Sequence, residues 1–231
     1  MEPYMEQWKE RGFVPDGIYT GFLSDEKQAD KILKLMDTFS GEDTLILTDP
    51  VMGDDGEVYP IYTEALRNRF CELVRRSYVI TPNLTEALIL LYGKEKMEAI
   101  WREFQEISGR ERLDQIEEIG RRLAEEFSLS AVVITGVDYR EGEEPVKIGN
   151  LVLEKEKSSW VFAEKSGGSY SGTGDLFASV LSAGLVKGYS MKKCAQLAVD
   201  FISASIRDAV EEGTDRNDGV CFEAHLGRLI Q

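Results

Sequence analysis

The 231-residue chain is long enough for one substantial core, and its 42% hydrophobic and 30% charged residues match an ordinary globular domain. A formal net charge of −15 repels polyanions, so nucleic acid and acidic membrane surfaces are poor partners. A nucleotide can still bind through local backbone N–H groups, a metal and a few cations.

No apolar run approaches the roughly 18 residues that span a bilayer, and the start lacks a charged-then-apolar signal pattern; a cytoplasmic location is the expectation. Cys71, Cys194 and Cys221 are odd in number, far apart and without zinc spacing, which suits a reducing compartment. The one histidine, His225, has no evident partner nearby in the sequence for Ser–His–Asp chemistry.

In chain order, residues 17–22 (GIYTGF) read as a strand, 25–38 as a helix and 44–48 (TLILT) as a second strand. A helix over 62–75 leads to a strand at 77–81 (SYVIT), followed by helices over 84–92 and two more across 95–127. Residues 130–135 (SAVVIT) form the next strand, 147–153 and 159–163 suggest antiparallel strands near an edge, and 175–187 and 190–210 close the chain as helices. No linker, repeat or low-complexity block divides it, so residues 1–231 are expected to be one domain. Alternating helices and strands too apolar to face water predict an α/β fold with a mostly parallel sheet covered by helices.

The polar oddities sit at the strand ends. LILT runs into Asp49-Pro50-Val51-Met52-Gly53-Asp54, YVIT into Pro82-Asn83-Leu84-Thr85-Glu86, and VVIT into Gly136. Parallel strands share one carboxyl edge, and ligands bind in the crevice outside it, so these motifs are expected to converge.

The sharpest motif is Ser171-Gly172-Thr173-Gly174-Asp175, followed at once by the helical LFASVLSAGLV. Glycines let the backbone approach a ligand, and the free N–H groups of a helix start favour an anion. A carboxylate beside an anion hole makes sense in phosphoryl transfer, where the donors stabilise the moving group and the acid takes a hydroxyl proton. The competing reading is a glycine turn in which Asp175 merely complements the helix dipole. Asp49 and Asp54 suit magnesium, which takes one or two carboxylates plus phosphate oxygens, although Asp, Gly and Pro also form turns unaided. Asn83 and Glu86 have the spacing of a capping box; in the functional alternative Glu86 holds a metal-bound water and Asn83 a phosphate. Trp8, Trp101 and Trp160 show no stacking pattern and read as packing residues, and the charges over 94–126 as solvated helix faces.

Taken together, TDPVMGDDGEVY at 48–59, ITPNLTEALIL at 80–90, VVITG at 132–136, SGTGDLFASVL at 171–181 and the tail DGVCFEAHL resemble pyridoxal (vitamin B6) kinases, in order and from residue 17 onward. The resemblance implies a ribokinase-like three-layer α/β/α sandwich and ATP-dependent phosphorylation of the hydroxymethyl group of pyridoxal, pyridoxine or pyridoxamine. It implies Asp175 as the catalytic base, with Gly172, Thr173 and Gly174 as the anion hole for the γ-phosphate. Asp49 and Asp54 would lie near metal and phosphates, Thr81, Asn83 and Glu86 would serve phosphate and magnesium, Thr135 and Gly136 would contact the nucleotide, and Phe22 the substrate ring. ATP and Mg2+ are the implied cofactors, K+ a further candidate, and a homodimer the implied assembly.

Hydroxymethylpyrimidine kinases of thiamine synthesis share the DPVM and TPN segments, but that group typically carries cysteine where Asp175 stands, so GTGD and GDDGEVY favour the B6 kinases. A sugar or nucleoside kinase of the same fold fits the DPVMGD run less well, and a non-catalytic nucleotide-binding relic is the alternative from another class. Nothing before Gly17 reads as the strand, glycine turn and Ser/Thr segment with which that family begins. The resemblance therefore implies an N-terminally truncated kinase domain with low or no activity.

Overall fold

The computed structural model describes residues 1–230. A short helix, α1 (Glu2–Glu10), precedes strand β1 (Gly17–Thr20), helix α2 (Glu26–Phe39) and strand β2 (Leu45–Thr48). A two-residue hairpin follows, β3 (Gly53–Asp54) with β4 (Glu57–Val58), then α3 (Glu64–Val74), β5 (Val79–Ile80) and α4 (Leu84–Tyr92). Helices α5 (Lys94–Gln105) and α6 (Gly109–Phe127) lead to β6 (Ala131–Tyr139), β7 (Lys147–Glu154) and β8 (Lys157–Glu164). Helices α7 (Thr173–Val186) and α8 (Met191–Glu212) and two 3-10 turns complete the fold.

The main sheet runs β1-β2-β5-β6-β7-β8, with the first four strands parallel and β7 and β8 antiparallel. Period-2 alternation divides its side chains between two cores. Ile46, Ile80, Val132, Ile134, Leu151 and Leu153 face α2–α6, whereas Leu47, Val79, Ala131, Val133 and Val152 face α7 and α8. That is why the strands read as continuous apolar runs: both faces are covered.

Local chemistry sets the helix ends. Asp25 caps α2 by accepting from the Gln28 N–H (2.8 Å), and Ala29, Leu33, Met36 and Phe39 form its buried stripe. Thr63 and Ser190 cap α3 and α8 in the same way, and α8 stops at Gly213 in the left-handed region. Helices α7 and α8 pack closely because Gly184 has no side chain; a Cβ there would lie 2.6 Å from Cys194 Sγ.

Three features differ from the sequence expectations. The strand expected at 77–81 shrinks to Val79–Ile80, while the one expected at 130–135 continues to Tyr139 past a register shift between Ile134 and Val137. The strand-end segment after Asp49, for which Asp, Gly and Pro offered a turn, contains the β3–β4 hairpin. His225 does have a carboxylate partner: its Nε2 stands 2.8 Å from Asp208 Oδ2 and ties the last 3-10 turn to α8. That pair is far along the chain from the strand-end motifs and serves the packing of the C-terminal segment. Among the described residues no helix is long and apolar enough to cross a membrane.

Candidate active site

The four parallel strands end together, and their extensions continue the ladder for one more step. The Asp49 N–H donates to Thr20 O (2.8 Å), the Thr81 N–H to Thr48 O (3.2 Å), and the Thr135 N–H to Pro82 O (3.0 Å). Each strand therefore delivers its first polar residue to one edge. A cleft of roughly 1220 Å³ lies outside that edge and is lined by Asp49, Asp54, Thr81, Asn83, Glu86, Thr135, Gly136 and residues 172–175. The expected convergence is what the fold produces.

Asp49 is 5% exposed, and the Thr81 hydroxyl donates to its Oδ1 at 3.0 Å. Burial pushes its carboxyl up to about 7, with the Asp175 charge adding to the effect and the Thr81 hydrogen bond opposing it. Glu86 is 4% exposed, and burial first, then the Asp49 charge, holds it well above the usual range against its two backbone hydrogen bonds. Those bonds define its place: Oε1 accepts the Met52 N–H (3.1 Å) and Oε2 the Asn83 N–H (2.9 Å). The Asn83 side chain accepts from the Glu86 N–H (2.9 Å) and donates to Gly53 O (2.8 Å). The capping box of α4 thus also anchors the hairpin strand that carries Asp54, so the structural and functional readings of this pair coexist.

Helix α7 begins at Thr173 behind Gly172, which sits in the left-handed region (φ 82°) and brings no side chain to cap the helix. The first N–H groups of α7 have no intrahelical acceptor and are open to an anion. A Cβ at Gly174 would be 3.9 Å from Asp49 Oδ2, so the helix start touches the end of β2. Asp175, in the first turn, is exposed at this junction. Backbone donors and carboxylates from separate loops stand together, as proton removal beside a phosphoryl group requires.

Magnesium can be tested against this donor set. Burial raises both carboxyls, the Asp49 charge adding to Glu86 and the Asp175 charge to Asp49, and a divalent cation would relieve both. Magnesium usually takes one or two carboxylates and completes its shell with phosphate and water, and Asp49 and Asp54 line the same cleft. The residues fit.

Phe22 lies just past β1, 56% exposed, and is absent from the cleft wall. Several wall residues carried no sequence signal that singled them out. Tyr59 lines the cleft, and its hydroxyl is pushed up to about 12 by burial and by the charges of Asp54, Glu86, Asp49 and Asp175. Trp101, read as packing, both lines the cleft and faces Gly56 of the hairpin. Asn150, 5% exposed on β7, accepts the Gly136 N–H (3.3 Å) at the register shift; a polar residue in the apolar run from Ile148 to Leu153 was a usable signal. Tyr19 donates to Asp175 Oδ1 at 3.1 Å.

Residues 10–219, most of the chain, match the family described as phosphomethylpyrimidine kinase. The chain belongs to that family. Similar curated proteins include pyridoxine kinase of Bacillus subtilis (strain 168), 28% identical over 170 residues, which are 71% of this chain and 54% of that protein. Another is pyridoxine/pyridoxal/pyridoxamine kinase of Bordetella avium (strain 197N), 27% identical over 206 residues, 87% of this chain and 64% of that protein. The chain therefore spans between half and two thirds of the length of these relatives. A Bacteroides thetaiotaomicron protein provisionally named a phosphomethylpyrimidine kinase, solved with pyridoxal, superposes with a TM-score of 0.85 at 29% identity, covering 100% of this chain and 76% of that one. The ribokinase-like α/β/α sandwich expected from the sequence is the fold of this phosphomethylpyrimidine kinase family member.

Proposed function

We propose that the chain is a B6-vitamer kinase that transfers the γ-phosphoryl group of ATP to the hydroxymethyl group of pyridoxal, pyridoxine or pyridoxamine. The observation that carries this reading is Asp175 standing in the first turn of α7, beside open backbone donors and the buried Asp49. Asp175 takes the proton of the vitamer alcohol as its oxygen forms a bond to the γ-phosphorus. The bond to the β-phosphate oxygen breaks, giving the phosphate ester and ADP. The N–H groups of residues 172–174 receive the equatorial phosphoryl oxygens, while Thr81, Asn83, Thr135 and Gly136 line the nucleotide side of the cleft. Asp49 and Asp54 would hold magnesium, with Glu86 behind them, and the metal would supply charge neutralisation of the phosphates.

The names of the two curated relatives support a B6 vitamer over the pyrimidine alcohol of thiamine synthesis, as does the pyridoxal in the Bacteroides structure. The carboxylate at position 175, where hydroxymethylpyrimidine kinases typically carry cysteine, supports the same choice.

The test is Asp175→Asn, with phosphorylation of each vitamer followed alongside ATP binding by calorimetry. Turnover should fall by about a thousandfold or more while ATP affinity stays within about threefold, because a base acts on the alcohol and not on the nucleotide. Turnover and affinity falling together would make Asp175 a structural residue.

A further inference from the structure

The starts of α4 and α7 pose the same electrostatic problem and solve it differently. Each helix has an acid at its third position: Glu86 in α4 and Asp175 in α7. Glu86 turns back and accepts the N–H of the capping residue, which closes that helix start. Asp175 is one methylene shorter, and no side-chain cap closes the start of α7. Instead Asp175 Oδ1 accepts the Tyr19 hydroxyl at 3.1 Å, from the other side of the helix start.

Tyr19 is well placed to do this. It sits on β1, paired in register with Leu47, and its ring packs against the core beneath α7. Gly21, two residues on, leaves the space the encounter needs. A Cβ at position 21 would stand 3.0 Å from the Tyr19 hydroxyl, tighter than most side-chain contacts, and would touch Asp175 Oδ1 at 3.4 Å. Burial and the charges of Asp49 and Asp175 push the Tyr19 hydroxyl above its ordinary value, so it stays protonated and donates to the carboxylate.

We propose that Tyr19 is a positioning residue for Asp175: its hydroxyl draws the carboxylate toward β1, keeping it off the backbone amides of the α7 start and leaving Oδ2 to accept the proton. This inference rests on the kinase reading above and deepens it. Without the hydroxyl, the carboxylate is free to fold back toward the amides, the same donors that must receive the phosphoryl group. The residue therefore matters in the transition state and not in holding nucleotide.

The experiment is Tyr19→Phe in the whole chain, which removes one oxygen and keeps the ring in its core. The kcat with pyridoxal should fall about tenfold or more, as expected for loss of a hydrogen bond to a charged group, with KM for ATP and the affinity for ADP within about twofold. The thermal midpoint should barely move. Unchanged kcat in Tyr19→Phe, with Asp175→Asn inactive, overturns the role of Tyr19 alone. A parallel loss of kcat, ADP affinity and thermal midpoint also overturns it, because that pattern marks a packing residue. Full turnover in Asp175→Asn, or a parent chain that neither binds ATP nor turns over any B6 vitamer, overturns the kinase reading and this inference together.

Discussion

Replacing Asp49 by Asn isolates the cost of burying a carboxylate in the cleft floor. Its carboxyl is raised from the ordinary 3.8 to about 7, mainly by burial. Between those two values the native state holds a proton that the unfolded chain has released, so native stability falls as pH rises through the window. From 3.8 to about 7, at about 1.36 kcal/mol per pH unit, the window is worth roughly 4 kcal/mol as an upper bound. Asparagine has nothing to ionise, and its carbonyl can still accept the Thr81 hydroxyl bond.

The stability difference between Asp49→Asn and the parent should therefore favour the variant increasingly from pH 4 to pH 8. Urea unfolding in metal-free buffer measures this: with a slope of about 3 kcal/mol/M, the midpoint difference should grow by about 1 M. Comparing the two proteins at each pH cancels the contribution of the other carboxylates, which is large in a chain of net charge −15. Magnesium with nucleotide at pH 8 should stabilise the parent more than the variant, because an ionised Asp49 gains from a cation and asparagine does not. A stability gap that is the same at pH 5 and pH 8 would refute the claim that Asp49 is held protonated by its surroundings.

Glu86→Gln replaces an acceptor facing a backbone N–H with a donor, so one of the two bonds from Met52 and Asn83 is lost. The expected cost is about 1–3 kcal/mol in urea unfolding, together with a higher magnesium requirement for turnover. An unchanged metal dependence would count against a metal role for Glu86. Gly56→Ala puts a side chain onto the Trp101 indole at a backbone position with φ 78°, and should loosen the β3–β4 hairpin by about 1 kcal/mol or more. Trp101 fluorescence and thermal unfolding report it, and unaltered emission with an unaltered midpoint would show that the hairpin does not rest on Trp101.

Much of this was legible in the chain because sheet and helix periods are visible in sequence. Ile46 and Leu47, or Val132 and Val133, are consecutive apolar residues that the pleat sends to opposite cores, which is why the parallel strands were readable as fully buried. The strand-end motifs were readable as one site because parallel strands leave no other place for them. What escaped has physical causes. Strands of two residues, such as Gly53–Asp54, have no period to detect. The register shift at Thr135–Gly136 let β6 run on where a turn residue suggested an end. Tyr19 looked like an ordinary strand former because its function depends on a hydroxyl reaching a residue 156 positions away, which no local pattern encodes. His225 likewise finds Asp208 only through the folding of the C-terminal segment onto α8.

The crossovers back to the sheet at 40–44, 75–78 and 128–130 all fall on the amino edge of the strands, opposite the cleft. Chemistry and chain routing are thus segregated to opposite rims of one slab. New termini or inserted modules grafted on the routing rim lie away from the cleft, and evolution or an engineer can lengthen those bends without touching its walls.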